Sequence, residues 1–277
     1  MTIITQIHSS KKNNFQTYAK NINSSEFIEL LNHEELAPII ENNIPNHREN
    51  IYTPTRTLSM FLTQSLNEDR SCSKAVNDLI IQQQRQNNRL KISPNTGAYC
   101  LARKKIPLAL VSQLATKIAE LVHLKTPEDW LWKGRRVRLI DGTTLTMPDT
   151  PENQQKFPQQ SSQKPGLGFP ICRVLAVSCL SSGVILNAAI SPLKGKGSDE
   201  QTLLREVLGT FKQGDIVMGD AFFGTYFLLA EMIRRGIDVL FEQLGTRKLI
   251  TDFGKGIALG KKDHLVVIPK SKKSLTG

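Results

Sequence analysis

The stretch V-R-L-I-D-G-T-T, residues 137–144, is an apolar run of the kind that forms a buried strand, yet it contains Asp141. A second stretch, D-I-V-M-G-D-A-F-F at residues 215–223, repeats this arrangement and delivers Asp220. Strands are depleted in aspartate, because its side chain competes for backbone hydrogen bonds and favours turns. The two aspartates are therefore candidates for a role other than folding.

The sequence around these stretches predicts a layered α/β domain. After residue 136 the predicted order is strand, strand, strand, helix, strand, helix, strand, and S-S-G at 181–183 joins the second and third strands as a hairpin. Ser198 begins the capping-box spacing S-x-x-Q in front of the first of these helices. This order is typical of a mixed sheet covered by helices. Ligands of such sheets bind beyond the carboxyl ends of the strands, where we expect Asp141 and Asp220 to converge.

Two converging carboxylates have two interpretations. Mg²⁺ is commonly bound by one or two protein carboxylates together with phosphate oxygens of the substrate. Two such ions about 4 Å apart promote in-line phosphoryl transfer. The alternative is that Asp141 begins a D-G-T turn and Asp220 begins a loop, which are common uses of aspartate. The spacing of the two residues leaves both interpretations open.

The charge of the chain favours an anionic partner. The 277 residues carry a net charge of +11, and residues 79–119 contain seven Lys or Arg and no acidic residue. Such a balance points to nucleic acid first and to an acidic membrane surface second; the alternative is that the lysines only solvate the protein. The most apolar region, residues 174–190, is interrupted by S-S-G and predicts a hairpin instead of a membrane span. No cysteine spacing of a disulfide framework or zinc site is present, so a reducing cytoplasm is expected.

The first part of the chain predicts helices. Residues 1–24 are polar and are expected to form a loose tail, and residues 25–125 show apolar residues at helical spacing. A helix-turn-helix with residues 71–87 as its first helix and a plain helical bundle are both compatible with this pattern. The basic side chains at 103–105, near a predicted helix end, are candidates for DNA contact: Arg103, Lys104 and Lys105.

Three motifs together resemble the catalytic region of the insertion-sequence-4 family of DDE transposases. They are L-I-D-G-T-T-L-T-M-P-D-T-P-E-N from residue 139, Q-K-P-G-L-G-F-P at 163–170, and G-D-A-F-F-G-T-Y from residue 219. A later run, T-R-K-L-I-T-D-F-G-K-G-I-A-L-G-K-K-D-H at 246–264, is similar to the same family. The resemblance extends roughly over residues 50–270.

The resemblance implies a fold and a division into domains. It implies a ribonuclease-H-like mixed sheet with flanking helices, preceded by an all-α N-terminal region and followed by the start of a β-rich insertion. The corresponding boundaries are a tail at 1–24, a helical DNA-binding region at 25–125, an incomplete catalytic core at 126–244, and the basic insertion at 245–277.

The resemblance also implies chemistry and partners. Asp141 and Asp220 would be the first two catalytic acids and would bind Mg²⁺ or Mn²⁺. The partner would be double-stranded DNA, both element ends and target, bound by a possible homo-oligomer on the nucleoid in a bacterial cytoplasm. No membrane partner is expected, nor any nucleotide cofactor, since the glycine-rich runs at 166–168 and 193–199 match neither nucleotide-binding pattern. Further basic residues would contact DNA: Lys164, Lys248, Lys261 and Lys262.

The resemblance departs at the third acid. The family places a glutamate in the pattern Y-x-x-R-x-x-x-E-x-x-x-x-x-x-K, which is not found here. The acids after residue 220 stand in other contexts: Glu231, Asp238, Glu242, Asp252 and Asp263. The chain is therefore expected to be a C-terminally truncated copy. Three hypotheses follow: an active transposase, an inactive remnant that binds only DNA or a full-length partner, and a stand-alone nuclease of ribonuclease-H type.

Overall fold

The computed structural model describes residues 24–44, 51–86, 91–242, 253–261 and 263–268. The chain divides into two compact units, residues 1–118 and 119–277. The described part of the first unit is helical, and its last helix continues into the second unit. These helices are α1 (Ser24–Leu31), α2 (Ala37–Asn43), α3 (Pro54–Leu66), α4 (Cys72–Arg85), α5 (Gly97–Lys104) and α6 (Leu108–Leu124).

Helix α4 organises the core of the first unit. It begins as predicted at Ser71, whose side chain accepts a hydrogen bond from the backbone N–H of Lys74. Its apolar face packs on Tyr99 of α5, which is fully buried and donates a 2.8 Å hydrogen bond to Gln64 of α3. Helix α4 ends at Arg85 and α5 begins at Gly97; residues 87–90 between them lie outside the described residues.

The second unit is built on a five-stranded mixed sheet with the spatial order β3-β2-β1-β4-β5. Strand β1 pairs antiparallel with β2 and parallel with β4; β2 pairs antiparallel with β3, and β4 pairs parallel with β5. The predicted mixed α/β sheet with flanking helices is confirmed, and it is consistent with a ribonuclease-H-like fold. The strands are β1 (Val137–Thr146), β2 (Ile171–Cys179), β3 (Ile185–Pro192), β4 (Ile216–Gly219) and β5 (Asp238–Phe241).

The helices of the second unit connect these strands. Helix α7 (Pro151–Lys156) lies between β1 and β2, α8 (Glu200–Glu206) precedes β4, and α9 (Tyr226–Arg234) links the parallel strands β4 and β5. Helix α9 is followed by Gly236 at φ +69°, the left-handed C′ position that glycine adopts without strain. The predicted cap of α8 is wrong by one residue. Asp199, not Ser198, is the N-cap and accepts from the Thr202 N–H at 3.0 Å.

Alternation along the strands gives the sheet one closed face and one open face. On the closed face, Ile140 and Val217 join buried side chains of α8 and α9 in one core. The opposite face has half-buried Leu139 and Met218 at its centre. Around them, apolar side chains with 50–59% exposure continue this open face: Ile185, Ile190 and Leu240.

A buried ion pair joins β1 to the residue before β4. The Arg138 Nε atom lies 3.1 Å from Asp215 Oδ2, and both side chains are only 3% exposed. Asp215 also accepts a 2.9 Å hydrogen bond from the backbone N–H of Lys212. Charges this deeply buried need their partners, so the pair makes the register of β1 against β4 sensitive to either side chain.

Part of the predicted β-rich segment at 245–277 is described. Strands β6 (Ile257–Ala258) and β7 (His264–Leu265) form a short antiparallel pair. Across the described ranges, no helix has both the length and the apolar content needed to cross a bilayer.

Candidate active site

The strand register brings Asp141 and Asp220 to neighbouring positions. Leu139 on β1 pairs with Met218 on β4 in a parallel arrangement. Asp141 lies two residues beyond Leu139, and Asp220 lies two residues beyond Met218, so each follows the last paired position by the same step. Side chains on the same side of a strand recur every second residue. Asp141 therefore lies on the open face within β1, whereas Asp220 lies directly after the end of β4, and both residues are exposed.

The two aspartates differ in how they leave the sheet. Asp220 directly follows β4, as predicted. Asp141 was expected at a strand end but lies in the middle of β1, opposite Ala176 of β2. The reason is that β1 is a single ten-residue strand: its outer half pairs only with β2, after the pairing with β4 has ended at Leu139. Asp141 thus stands at the end of the parallel pairing, although not at the end of its strand.

The loop after β4 orients Asp220. Its Oδ1 atom accepts a 2.8 Å hydrogen bond from the backbone N–H of Phe222. The carbonyl of Phe222 in turn accepts a 2.8 Å hydrogen bond from Gln201 Nε2 of α8. Phe223 is fully buried in the core, whereas Phe222 is 40% exposed. The position of Asp220 therefore depends on hydrogen bonds as well as on packing.

Helix α8 also reaches the strand of Asp141. A Cβ atom added to Gly142 would overlap the carboxyl group of Glu200, so this carboxyl group lies directly over the glycine. The contact is on the closed face, opposite the Asp141 side chain. Neither Glu200 nor Gln201 was identified from the sequence, because nothing in the spacing of S-D-E-Q indicates which strand the helix will cover.

The acidic residues after Asp220 lie in different environments. Gly219 pairs with Phe241, and Glu242 directly follows β5 and is exposed. Glu231 is bound by Arg234 and Arg235, whose hydrogen bonds lower its pKa to about 2. Asp252 lies outside the described residues. Within the described ranges, no three His, Cys, Asp or Glu side chains are arranged to bind a metal ion together.

The basic candidates lie in several different environments. The Arg103 guanidinium stacks 4.3 Å from the ring centre of Phe61 and contacts Cys72 Sγ at 3.4 Å, so it stabilises the first unit. Four further candidates lie in the described residues, and all are exposed lysines: Lys104, Lys105, Lys164 and Lys261. Lys248 and Lys262 lie outside the described residues.

Gly219 is expected to be sensitive to any side chain. A Cβ atom there would lie 2.7 Å from Ile140 Cγ1 and 2.9 Å from the ring of Phe223. Gly219→Ala should therefore lower the free energy of unfolding by about 1–3 kcal/mol, the usual cost of overpacking a core. Gly209→Ala is the control, since no atom lies within 4 Å of its Cβ position. Denaturant unfolding of both variants measures the difference, and equal stabilities would contradict this packing.

Comparison with known proteins identifies the family of the chain. The transposase DDE domain matches residues 132–274, which include both aspartates and just over half of the chain. The chain therefore belongs to the family of transposase DDE domain proteins, and the resemblance inferred from the three motifs is confirmed.

Two curated relatives come from Escherichia coli K12. The transposase InsG of insertion sequence element IS4 is 30% identical over 122 residues, which cover 44% of this chain and 27% of that protein. The putative transposase InsZ is 26% identical over 147 residues, covering 53% of this chain and 47% of that protein. The matched region thus spans between about a quarter and about half of the length of these relatives.

Proposed function

We propose that this chain binds mobile-element DNA and cleaves and joins its strands by metal-dependent phosphoryl transfer, with Asp141 and Asp220 as the metal ligands. The observation that supports this most is the parallel pairing of β1 and β4, in which Asp141 and Asp220 each follow a paired residue by two positions. In this proposal the helical region at 25–125 contacts DNA and the region at 126–244 performs the chemistry.

The donor set suits a hard divalent cation. Two exposed carboxylates on neighbouring strands repel each other unless a cation lies between them, and Mg²⁺ or Mn²⁺ accepts such oxygen ligands alongside phosphate oxygens. When bound, the cation would polarise the phosphoryl oxygens and activate the attacking hydroxyl group. The chain contributes the orientation of the ligands: the Phe222 N–H fixes Oδ1 of Asp220, and pairing with β2 fixes the backbone at Asp141.

The charge of the protein supports DNA as the partner. At a net charge of +11, attraction to phosphates is expected to supply most of the affinity, and the affinity should fall steeply with salt. The exposed Lys104, Lys105 and Lys164 are candidates for phosphate contact. In this proposal a homo-oligomer of the chain binds both the element ends and the target DNA on the bacterial nucleoid.

A second candidate function is binding without cleavage. It is favoured by the two-carboxylate site itself, because the described residues contain no third ligand arranged with Asp141 and Asp220. A chain of this kind would still occupy element ends or associate with a complete transposase.

The deciding experiment combines binding with cleavage. The purified chain is mixed with linear DNA that carries the element ends, at increasing salt, with Mg²⁺ or with EDTA. Salt-sensitive binding together with strand breaks that need Mg²⁺ is the expected result. Binding without breaks under any metal condition supports the second function. Absence of both, from a chain shown to be folded by circular dichroism, would reject the two proposals together.

A further inference from the structure

The first turn of α8 contacts both segments that bear the aspartates. Gln201 donates its 2.8 Å hydrogen bond to the carbonyl of Phe222, in the loop that follows Asp220. The adjacent Glu200 lies over Gly142, the residue that follows Asp141. A single helical turn on the closed face thus bridges the strand of one carboxylate and the loop of the other.

Phe222 is held by hydrogen bonds at both of its backbone polar groups. Its N–H donates to Asp220 Oδ1 at 2.8 Å, and its carbonyl accepts from Gln201 at 2.8 Å. Its ring is 40% exposed, so side-chain packing contributes less here than at the fully buried Phe223. Loss of the Gln201 hydrogen bond would free the residue that orients the Asp220 carboxylate.

Helix α8, which carries Gln201, is held in place by its N-cap and by the core. The N-cap Asp199 accepts the Thr202 N–H at 3.0 Å and contacts the Thr202 hydroxyl at 2.7 Å. Leu203 and Leu204, on the same helix, are fully buried in the core of the second unit. Because α8 is fixed in this way, the hydrogen bond from Gln201 holds the Phe222 carbonyl in a defined position.

We infer that Gln201 is a positioning residue for the Asp220 carboxylate, acting through Phe222. The inference rests on the proposed function for its purpose, since it concerns how well Asp220 is oriented as a metal ligand. Gln201 itself contacts neither metal nor DNA in this role. Residues that orient metal ligands in this way typically change metal affinity by roughly 10–100-fold when they are replaced.

The test replaces Gln201 with leucine, which keeps the size of the side chain but removes the donor. Hydrogen exchange of the Phe222 amide is followed by NMR without metal, and Mn²⁺ affinity is measured from the electron paramagnetic resonance signal of the free ion. We expect amide exchange at least about tenfold faster and Mn²⁺ binding about 10–100-fold weaker. Gln201 is only partly buried, so the variant should remain folded.

The matched control is Asn187→Leu. Asn187 on β3 donates a 2.9 Å hydrogen bond to Thr210, beyond the far end of the same helix. Strand β3 is separated from β1 by β2, so this variant should leave both the exchange of Phe222 and the Mn²⁺ affinity within about twofold of wild type.

The outcomes separate the positioning role from the proposed function. Unchanged exchange of Phe222 in Gln201→Leu, or faster exchange with unaltered Mn²⁺ affinity, would overturn the positioning role. If the wild-type chain binds no Mn²⁺, the proposed function fails instead, and faster exchange in Gln201→Leu would still support the role of Gln201 in holding the Asp220 loop.

Discussion

Asp220→Asn is expected to lower Mg²⁺-dependent DNA cleavage by at least about 100-fold. The substitution keeps the shape of the side chain and removes the charge that balances a divalent cation. A bound cation supplies several kcal/mol of transition-state stabilisation, and each roughly 1.4 kcal/mol changes a rate tenfold. Asp141→Asn should have the same effect. The double variant should be little worse than either single one, because the two ligands act as a unit.

The control for this prediction lies at the other end of the same parallel strands. Asp238 pairs with Ile216 at the start of β4, so Asp238→Asn removes one carboxylate at the opposite end of the parallel strands. Cleavage and Mn²⁺ affinity are measured for all variants, so the effect is visible in binding as well as in turnover. Equal losses in Asp220→Asn and Asp238→Asn would show that the effect is general electrostatics, and an unaffected Asp220→Asn would remove Asp220 from the site.

Asp215→Ala is expected to produce the largest loss of stability, about 3–5 kcal/mol. It leaves Arg138 charged and buried, with the Nε atom deprived of its partner at 3.1 Å and Nη1 already without a hydrogen bond. The contrast is the ion pair between Arg135 and Asp238, whose side chains are 35% and 69% exposed. Water screens such a pair, so Asp238→Ala should cost less than about 1 kcal/mol.

A double substitution tests whether the cost comes from the unpaired charge. Arg138→Met combined with Asp215→Leu removes both charges and keeps apolar volume, so it should be more stable than Asp215→Ala alone. The free energies are obtained from urea unfolding of each variant. If the double variant is as unstable as the single one, packing around Asp215 decides the stability and the ion pair does not.

Much of the sheet follows from the sequence. Apolar runs identified the strands, and S-S-G identified the hairpin of β2 and β3, because these signals are local. Gly236 identified the end of α9 for the same reason. The aspartates stood out as residues that strands rarely accept. The family resemblance then gave them a common role, which the parallel pairing of β1 and β4 supports.

The remaining features depend on contacts between distant segments. The position of Asp141 inside β1 follows from β2 extending further than β4, which no local pattern records. The pairing of Gly219 with Phe241, the residue before Glu242, depends on the register of β5. The contacts of Gln201 depend on where α8 crosses the sheet. The role of a polar residue with ordinary sequence spacing cannot be predicted from the sequence, because it depends on tertiary contacts.

The alternation of β1 has a consequence for changes in chain length. Ile140 points into the core that contains Val217, and its neighbour Asp141 points outward. An inserted or deleted residue between 137 and 141 would invert that order and drive the carboxylate under α8, where an unpaired charge costs several kcal/mol. A single-codon insertion would therefore displace the Asp141 carboxylate and destabilise the domain together.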